Sequence, residues 1–217
     1  MNWNFVIEEI PVFARALLVT LNVSLWGILL SLIIGIAISS IEVARIPVVY
    51  HIARVYVELS RNTPLLVQLY FIYFALPKLG VRWDATQSAI VGLAFLGGSY
   101  MAEALRAGLS AVPEAQRESA YMLGFSRVQT FSRVIVPQAL STAMPGLIAN
   151  VIFLIKESSV VSAIALADIM YETKDVMGND YNTYEALLLL VLSYLIVLLP
   201  ISLIGAWLEK RFDYARN

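Results

Sequence analysis

From Ala16 to Ile41 the chain runs for 26 residues without an ionisable side chain. An α-helix needs roughly 20 apolar residues to cross ~30 Å of hydrocarbon, so this run suffices. Four more charge-free stretches follow: Asn62–Pro77 (16 residues), Ala85–Ala102 (18), Val134–Ile155 (22) and Ala186–Leu208 (23). The shortest is extended backwards by Ile52, Val55, Val57 and Leu59, through Glu58 and Arg61. Helices satisfy every backbone group internally, as lipid requires, and the continuous runs exclude the alternating pattern of a β-barrel. The reading is one all-α, polytopic membrane domain over 1–217, with five transmembrane helices at about 14–41, 52–77, 85–106, 138–167 and 184–208. Composition agrees, with 59% hydrophobic and 14% charged residues.

The leader, MNWNFVIEEI, lacks a basic segment and carries Glu8 and Glu9, which argues against a signal peptide. Its Trp3, Phe5, Ile7 and Ile10 suggest a short segment at the membrane interface. Five spans put the termini on opposite sides, and Lys and Arg choose which. One set of loops holds Arg45, Arg54, Arg106, Arg117, Arg127, Arg133, Lys210, Arg211 and Arg216; the other holds Arg15, Lys78, Arg82, Lys156 and Lys174. The richer side is cytoplasmic, so the C-terminus is expected inside and the N-terminus outside.

Several functions are disfavoured. Net charge is −1, which gives nucleic acid no electrostatic footing. With no cysteine and a single histidine, His51, there is no disulfide, thiolate zinc or histidine-cluster site. No G-x-x-x-x-G-K-[ST] loop is present, so ATP is not expected on this chain, and no convincing catalytic set can be assembled.

The cytoplasmic loop, about 110–133, carries the densest local signals. Pro113 suits a helix start, with Glu114 and Glu118 near the positive end of its dipole. Gly124 is suited to a C-terminal stop. Ser126 and Gln129 are spaced as a capping box for a second short helix, which Val128, Phe131 and Ile135 would line before Pro137 bends the chain. Physics alone leaves two readings open, a plain connector or a rigid hook.

The residues themselves resemble a family. Glu118-Ser119-Ala120, Gly124 and Ile135-Val136-Pro137 are similar to the "EAA" loop of ABC importer permeases, with Ser119 in place of the first alanine. Glu58-Leu59-Ser60-Arg61-Asn62-Thr63-Pro64-Leu65-Leu66-Val67-Gln68 resembles a signature of the polar amino acid subfamily. Tyr100–Gly108 resembles its Y-x-A-E-x-x-R-G-G segment, and Lys156-Glu157-Ser158-Ser159 stands where it usually has K-D-T-S. The chain is thereby identified as a member of the histidine/glutamine/arginine type of importer permease. That resemblance implies the type I permease fold, with a coupling helix that seats Glu114, Glu118, Ser119, Ala120, Leu123 and Gly124 against a separate ATPase. It also implies two ATPase copies holding the ATP–Mg, a second permease copy or homologue, an extracytoplasmic binding protein and a polar amino acid substrate. The location it implies is the bacterial inner membrane, and the chain needs no cofactor of its own.

Charges inside spans are expensive and ask for a reason. Glu58 with Arg61, and Glu103 with Arg106, stand i,i+3 and could each close a local salt bridge, or contact substrate. Asn62, Thr63 and Pro64 suggest a kinked helix along a moving pathway. Lys156, Glu157, Ser158 and Ser159 interrupt an apolar stretch, which marks either a gate broken near 156–159 or a helix end with Lys156 snorkelling outward. The acidic segment Asp168–Glu185 is either a docking surface for the binding protein or a solvated loop. Gly27, Gly35, Gly92, Gly97 and Gly98 suggest close helix approach. The competing function is an ion-coupled secondary transporter or channel that uses Glu103 or Glu157.

Overall fold

The computed structural model describes residues 2–45 and 47–213; Arg216, counted in the tail above, lies outside them. Among the described residues the chain is helical and has no strand. Helix α1 spans Trp3–Ala44, α2 Val49–Arg61, α3 Leu65–Tyr70, α4 Ala85–Ala111, α5 Glu114–Met122, α6 Arg127–Thr130, α7 Val136–Glu157, α8 Ile169–Asn179 and α9 Thr183–Asp213. Four helical segments are long and apolar enough to cross a bilayer: α1, α4, the continuous stretch Arg127–Ile164, and α9.

The leader is not a separate interfacial piece. It forms the first turns of α1, capped where the Asn2 side chain accepts a hydrogen bond from the Phe5 N–H. Val6, Phe13 and Ala16 bury themselves against Ile169, Val176, Ala186 and Leu189, so tertiary packing carries the helix through Pro11. The same packing overturns the solvated-loop reading of 168–185. Most of that segment is α8, capped by Asp168, with Ile169, Thr173 and Val176 buried.

The stretch expected as one span, 52–77, is two helices. Pro64 has no N–H to donate and pushes Thr63 away from the helical region, so α2 stops at Arg61 and α3 starts at Leu65. The Gln68 side chain holds the break together by donating to the carbonyls of Ser60 (3.0 Å) and Thr63 (2.9 Å). Beyond α3 the helix widens into a π turn at Phe71–Ala75 and tightens into a 3₁₀ turn at Leu76–Leu79. A second π turn, Phe131–Ile135, joins α6 to α7. Both lie just before a proline, Pro77 or Pro137, whose ring would clash with the carbonyl four residues back in a regular helix. Pro137 therefore widens the helix locally instead of bending it away.

The centre of the molecule is α4. It packs along α1 on one side and α7 on the other, around a core that includes Val23, Leu65, Leu69, Leu93, Met101 and Leu154. Glycine sets the α1–α4 distance: a Cβ on Gly35 would stand 2.5 Å from Met101 Cβ, and one on Gly97 would overlap Ser31 Oγ. Ser31 Oγ in turn donates to the carbonyls of Gly27 (2.7 Å) and Leu93 (3.2 Å), a polar clip across the same seam. The outer faces of α1 and α9 expose Leu18, Ile33, Ile196 and Leu203, as helices in lipid do.

At one end α5 and α6 form a projecting hook. Gly124 takes φ +81°, its N–H bonds the Tyr121 carbonyl (3.0 Å), and Phe125 N–H bonds the Ala120 carbonyl (3.1 Å). That pair is a Schellman motif closing α5. Ser126 and Gln129 then form a reciprocal capping box at the start of α6. The expected apolar lining is only partly present, since Ile135 is buried while Val128 and Phe131 are exposed.

Candidate functional site

The break between α2 and α3 takes Asn62 and Thr63 out of regular helix and, with Arg61 at the end of α2, brings them to face α4 and α7. There they line a cavity of about 250 Å³ with Tyr100, Phe153 and Glu157. The Arg61 guanidinium lies 5.3 Å from the Tyr100 ring centroid, and Tyr100 and Phe153 are ring neighbours at 5.1 Å. The lining thus carries a cation, a carboxylate and two aromatic rings, with Leu65 and Leu96 among the rest. That combination suits a small zwitterion, whose two charged groups need opposite partners at a fixed separation.

Arg61 is positioned from behind. Its Nη1 reaches Glu103 Oε2 at 3.6 Å, an interhelical pair and not the i,i+3 bridge to Glu58 that spacing suggested. Glu58 turns away instead, meeting Arg54 Nη2 at 3.7 Å and accepting a hydrogen bond from Asn62 Nδ2 at 3.2 Å. The other expected pair does form. Arg106 donates to Glu103 through Nε (3.2 Å) and Nη2 (2.8 Å), a two-pronged contact that fixes the carboxylate. Glu103 is therefore shared between Arg61 and Arg106.

The Lys156–Glu157 pair is split by the helix surface. Glu157 faces the cavity, whereas Lys156 is exposed on another side. Ser158 is fully buried and donates to the Ile155 carbonyl at 2.8 Å, and the Ser159 carbonyl accepts from Ser162 Oγ at 2.8 Å. These two serines build the passage from α7 into the 3₁₀ turn at Ser158–Ile164 and do not line the cavity.

On the hook, Glu114, Glu118 and Ser119 are exposed, and so are Tyr121 (45%), Met122 (91%) and Leu123 (77%). Ala120 is only 3% exposed and points into its own chain. Sequence reasoning missed Met122 and Tyr121, which belong to no polar or charged pattern. It also missed Glu42, a buried carboxylate flanked by Arg54 Nε (4.0 Å) and Arg106 Nε (3.9 Å). Glu42 sits one residue past the charge-free run, so it read as a residue already in solvent. Tyr100 stood within a quoted motif, but nothing local marks an aromatic residue as cavity-facing.

Residues 27–214 match the family model described as "Binding-protein-dependent transport system inner membrane component". The chain belongs to that family. A probable amino-acid ABC transporter permease, PatM, of Vibrio harveyi is 31% identical over 99% of this chain and 97% of its own length. The arginine transport system permease ArtQ of Bacillus subtilis is 32% identical over 97% of this chain and 98% of its own. A chain from the crystal structure of an amino acid ABC transporter with histidines superposes with TM-score 0.89, at 29% identity, over 97% of this chain and 99% of that one. A chain of the inward-facing MetNI methionine transporter, at 19% identity, shares the fold with TM-score 0.79 over 94% and 98% of the two chains. The fold is that of type I ABC importer permeases, and the role is that of a transport subunit in the inner membrane, with its ATPase on a separate chain.

Proposed function

We propose that this permease carries a polar or charged L-amino acid inward across the bacterial inner membrane, by alternating access between outward- and inward-open states. The observation that carries the reading is the convergence of Arg61 and Glu157 on one aromatic-lined cavity. The α-carboxylate of an amino acid would pair with Arg61, and its α-ammonium with Glu157. Asn62 and Thr63, on the interrupted backbone, add hydrogen-bonding groups where broken helices host transported solutes. Glu103 and Arg106 hold Arg61 in place and do not themselves meet the solute. The relatives' names support the solute class but leave arginine, glutamine, glutamate, histidine and cystine as candidates.

The working complex in this reading pairs the chain with a second copy or a homologous permease, two ATPase subunits and an extracytoplasmic binding protein. The Lys and Arg distribution supports a hook in the cytoplasm and an N-terminus outside. There the exposed apolar tip, Tyr121, Met122 and Leu123, enters a groove on the ATPase, with Glu114, Glu118 and Ser119 at its rim. Closure of the ATPase pair on ATP would pull the hooks together and swing the spans. The test is ATPase stimulation and uptake by the reconstituted complex, with binding protein, over a panel of amino acids. Stimulation by one or a few polar amino acids is the expected result. No response to any of them would overturn the proposal.

A further inference from the structure

A second, more polar hollow of about 380 Å³ lies at the hook end of the bundle, where α1 ends, α2 begins and α4 turns into α5. Arg45, Arg54, Arg106 and Arg117 face it from four different elements, with Glu42 and Glu114 as its acidic members. Within the hollow the four guanidiniums meet Glu42 and Glu114, and from outside its lining Glu58 and Glu103 engage Arg54 and Arg106. The Glu42 side chain is 1% exposed and already flanked by Arg54 and Arg106, while Glu114 pairs with Arg117 at 3.5 Å. Arg45 makes no ion pair with the described residues, and the side chains of Arg54, Arg106 and Arg117 remain 48%, 36% and 42% exposed. Arg45, and Arg117 beyond its single contact with Glu114, present forked donors to whatever fills the hollow, a geometry that suits a phosphate.

We infer that this hollow binds the phosphate headgroup of an anionic phospholipid of the inner leaflet. Two features favour a lipid over free phosphate. The hollow opens beside apolar surface: Val43, 42% exposed, lines it, and Val48 and Ile52 are 68% and 64% exposed at the α2 start that also supplies Tyr50 and Arg54. Acyl chains would lie along that ridge. Its position at the end of the membrane-crossing helices also matches the depth of headgroups, where basic pockets between helices collect anionic lipid. Arg117 belongs to the hook and Arg45 to α1, so a phosphate between them would tie the hook to the bundle. Anionic lipid should then govern how firmly the hook transmits force.

The choice of leaflet rests on the importer reading and its orientation, and the experiment separates the two. The complete complex, with ATPase and binding protein, is reconstituted in phosphatidylcholine vesicles and in mixed phosphatidylcholine–phosphatidylglycerol vesicles. Uptake and ATP hydrolysis are followed in each, and bound phosphatidylglycerol is counted by native mass spectrometry. The expected result is several-fold more uptake per ATP with phosphatidylglycerol, and lipid retained on the wild type. Arg45→Gln and Arg117→Gln should each lower lipid affinity about five-fold, at ~1 kcal/mol per charge near the surface. Together they should give equal, low coupling in both vesicles, while Arg45→Lys keeps the lipid response and controls for misfolding. Equal wild-type coupling in the two vesicle types, or a phosphatidylglycerol response that survives in the double variant, overturns the lipid site. Restoration of coupling in phosphatidylcholine by inorganic phosphate would assign the hollow to free phosphate instead. Absence of uptake in every vesicle would count against the importer reading itself.

Discussion

At the residue scale, the cavity separates two neighbours that the sequence presents as one charged unit. Glu157 faces the proposed solute and Lys156 does not, so their substitutions should diverge. Glu157→Gln and Arg61→Gln each remove a charge-assisted contact worth about 1.5–3 kcal/mol, and uptake at low substrate should fall ten- to hundred-fold. Lys156→Ala should transport nearly as wild type. Uptake by assembled variants decides it, and equal loss at 156 and 157 would return the pair to a shared helix-end role. Asp168 gives a second residue-scale prediction. Burial raises its pKa to about 6, opposed by the Tyr171 N–H that its Oδ1 accepts at 2.9 Å. Its other oxygen, Oδ2, has no hydrogen-bond partner among the described residues. A raised carboxyl pKa means the folded state binds the proton more tightly than the unfolded state. Stability therefore falls as pH rises through the window from about 4 to 6, by at most ~3 kcal/mol. Asp168→Asn keeps the cap and removes the titration, so melting temperature in detergent should lose that slope and rise at pH 7. An unchanged slope would mean that water or a neighbour already neutralises the charge. Spacing could not foresee Asp168 or Glu42, because a charge next to an apolar run looks solvated until tertiary packing encloses it.

At the element scale, the hook was legible because its signals are local. Gly124, Ser126 and Gln129 act through backbone bonds within a few residues, and the Schellman motif and capping box follow from them directly. The broken second span was only half legible: Pro64 announces a disturbance, but its size depends on Gln68 reaching back to two carbonyls. The burial of Ala120 was not legible for the same reason, since its motif position says nothing about which way it points. Gly124→Val places a β-branched side chain at φ +81°, costing about 1 kcal/mol or more, and should re-aim the hook while the spans insert normally. Leu123→Asp should lower recovery of the ATPase subunit per permease without altering expression. Ala120→Asp should behave differently from both, buried as it is, by loosening the hook and increasing its proteolysis. Normal ATPase recovery and normal transport per ATP in Gly124→Val and Leu123→Asp alike would reduce α5 and α6 to a connector.

At the scale of the whole molecule, α4 ties the two sites together. It carries Tyr100 and Glu103 beside the cavity and Arg106 beside the arginine-lined hollow, all within two turns. A shift of α4 would therefore be felt at the solute and at the hook through the chain Arg61, Glu103, Arg106 and Glu42. Which way that axis points across the membrane depends on charge counting alone, and the absence of cysteine gives a clean background for testing it. Arg127 lies on the hook, and Tyr184, 83% exposed, lies at the start of α9. Those positions sit at opposite ends of the bundle if α7 and α9 each cross the bilayer once. In intact cells a membrane-impermeant maleimide should label Tyr184→Cys and spare Arg127→Cys. In inside-out vesicles the pattern should reverse. Both substitutions replace exposed side chains, so neither disturbs the core. Labelling of Arg127→Cys from outside would invert the topology, remove the hook from the side where ATP is available, and leave the arginine-lined hollow in the wrong leaflet.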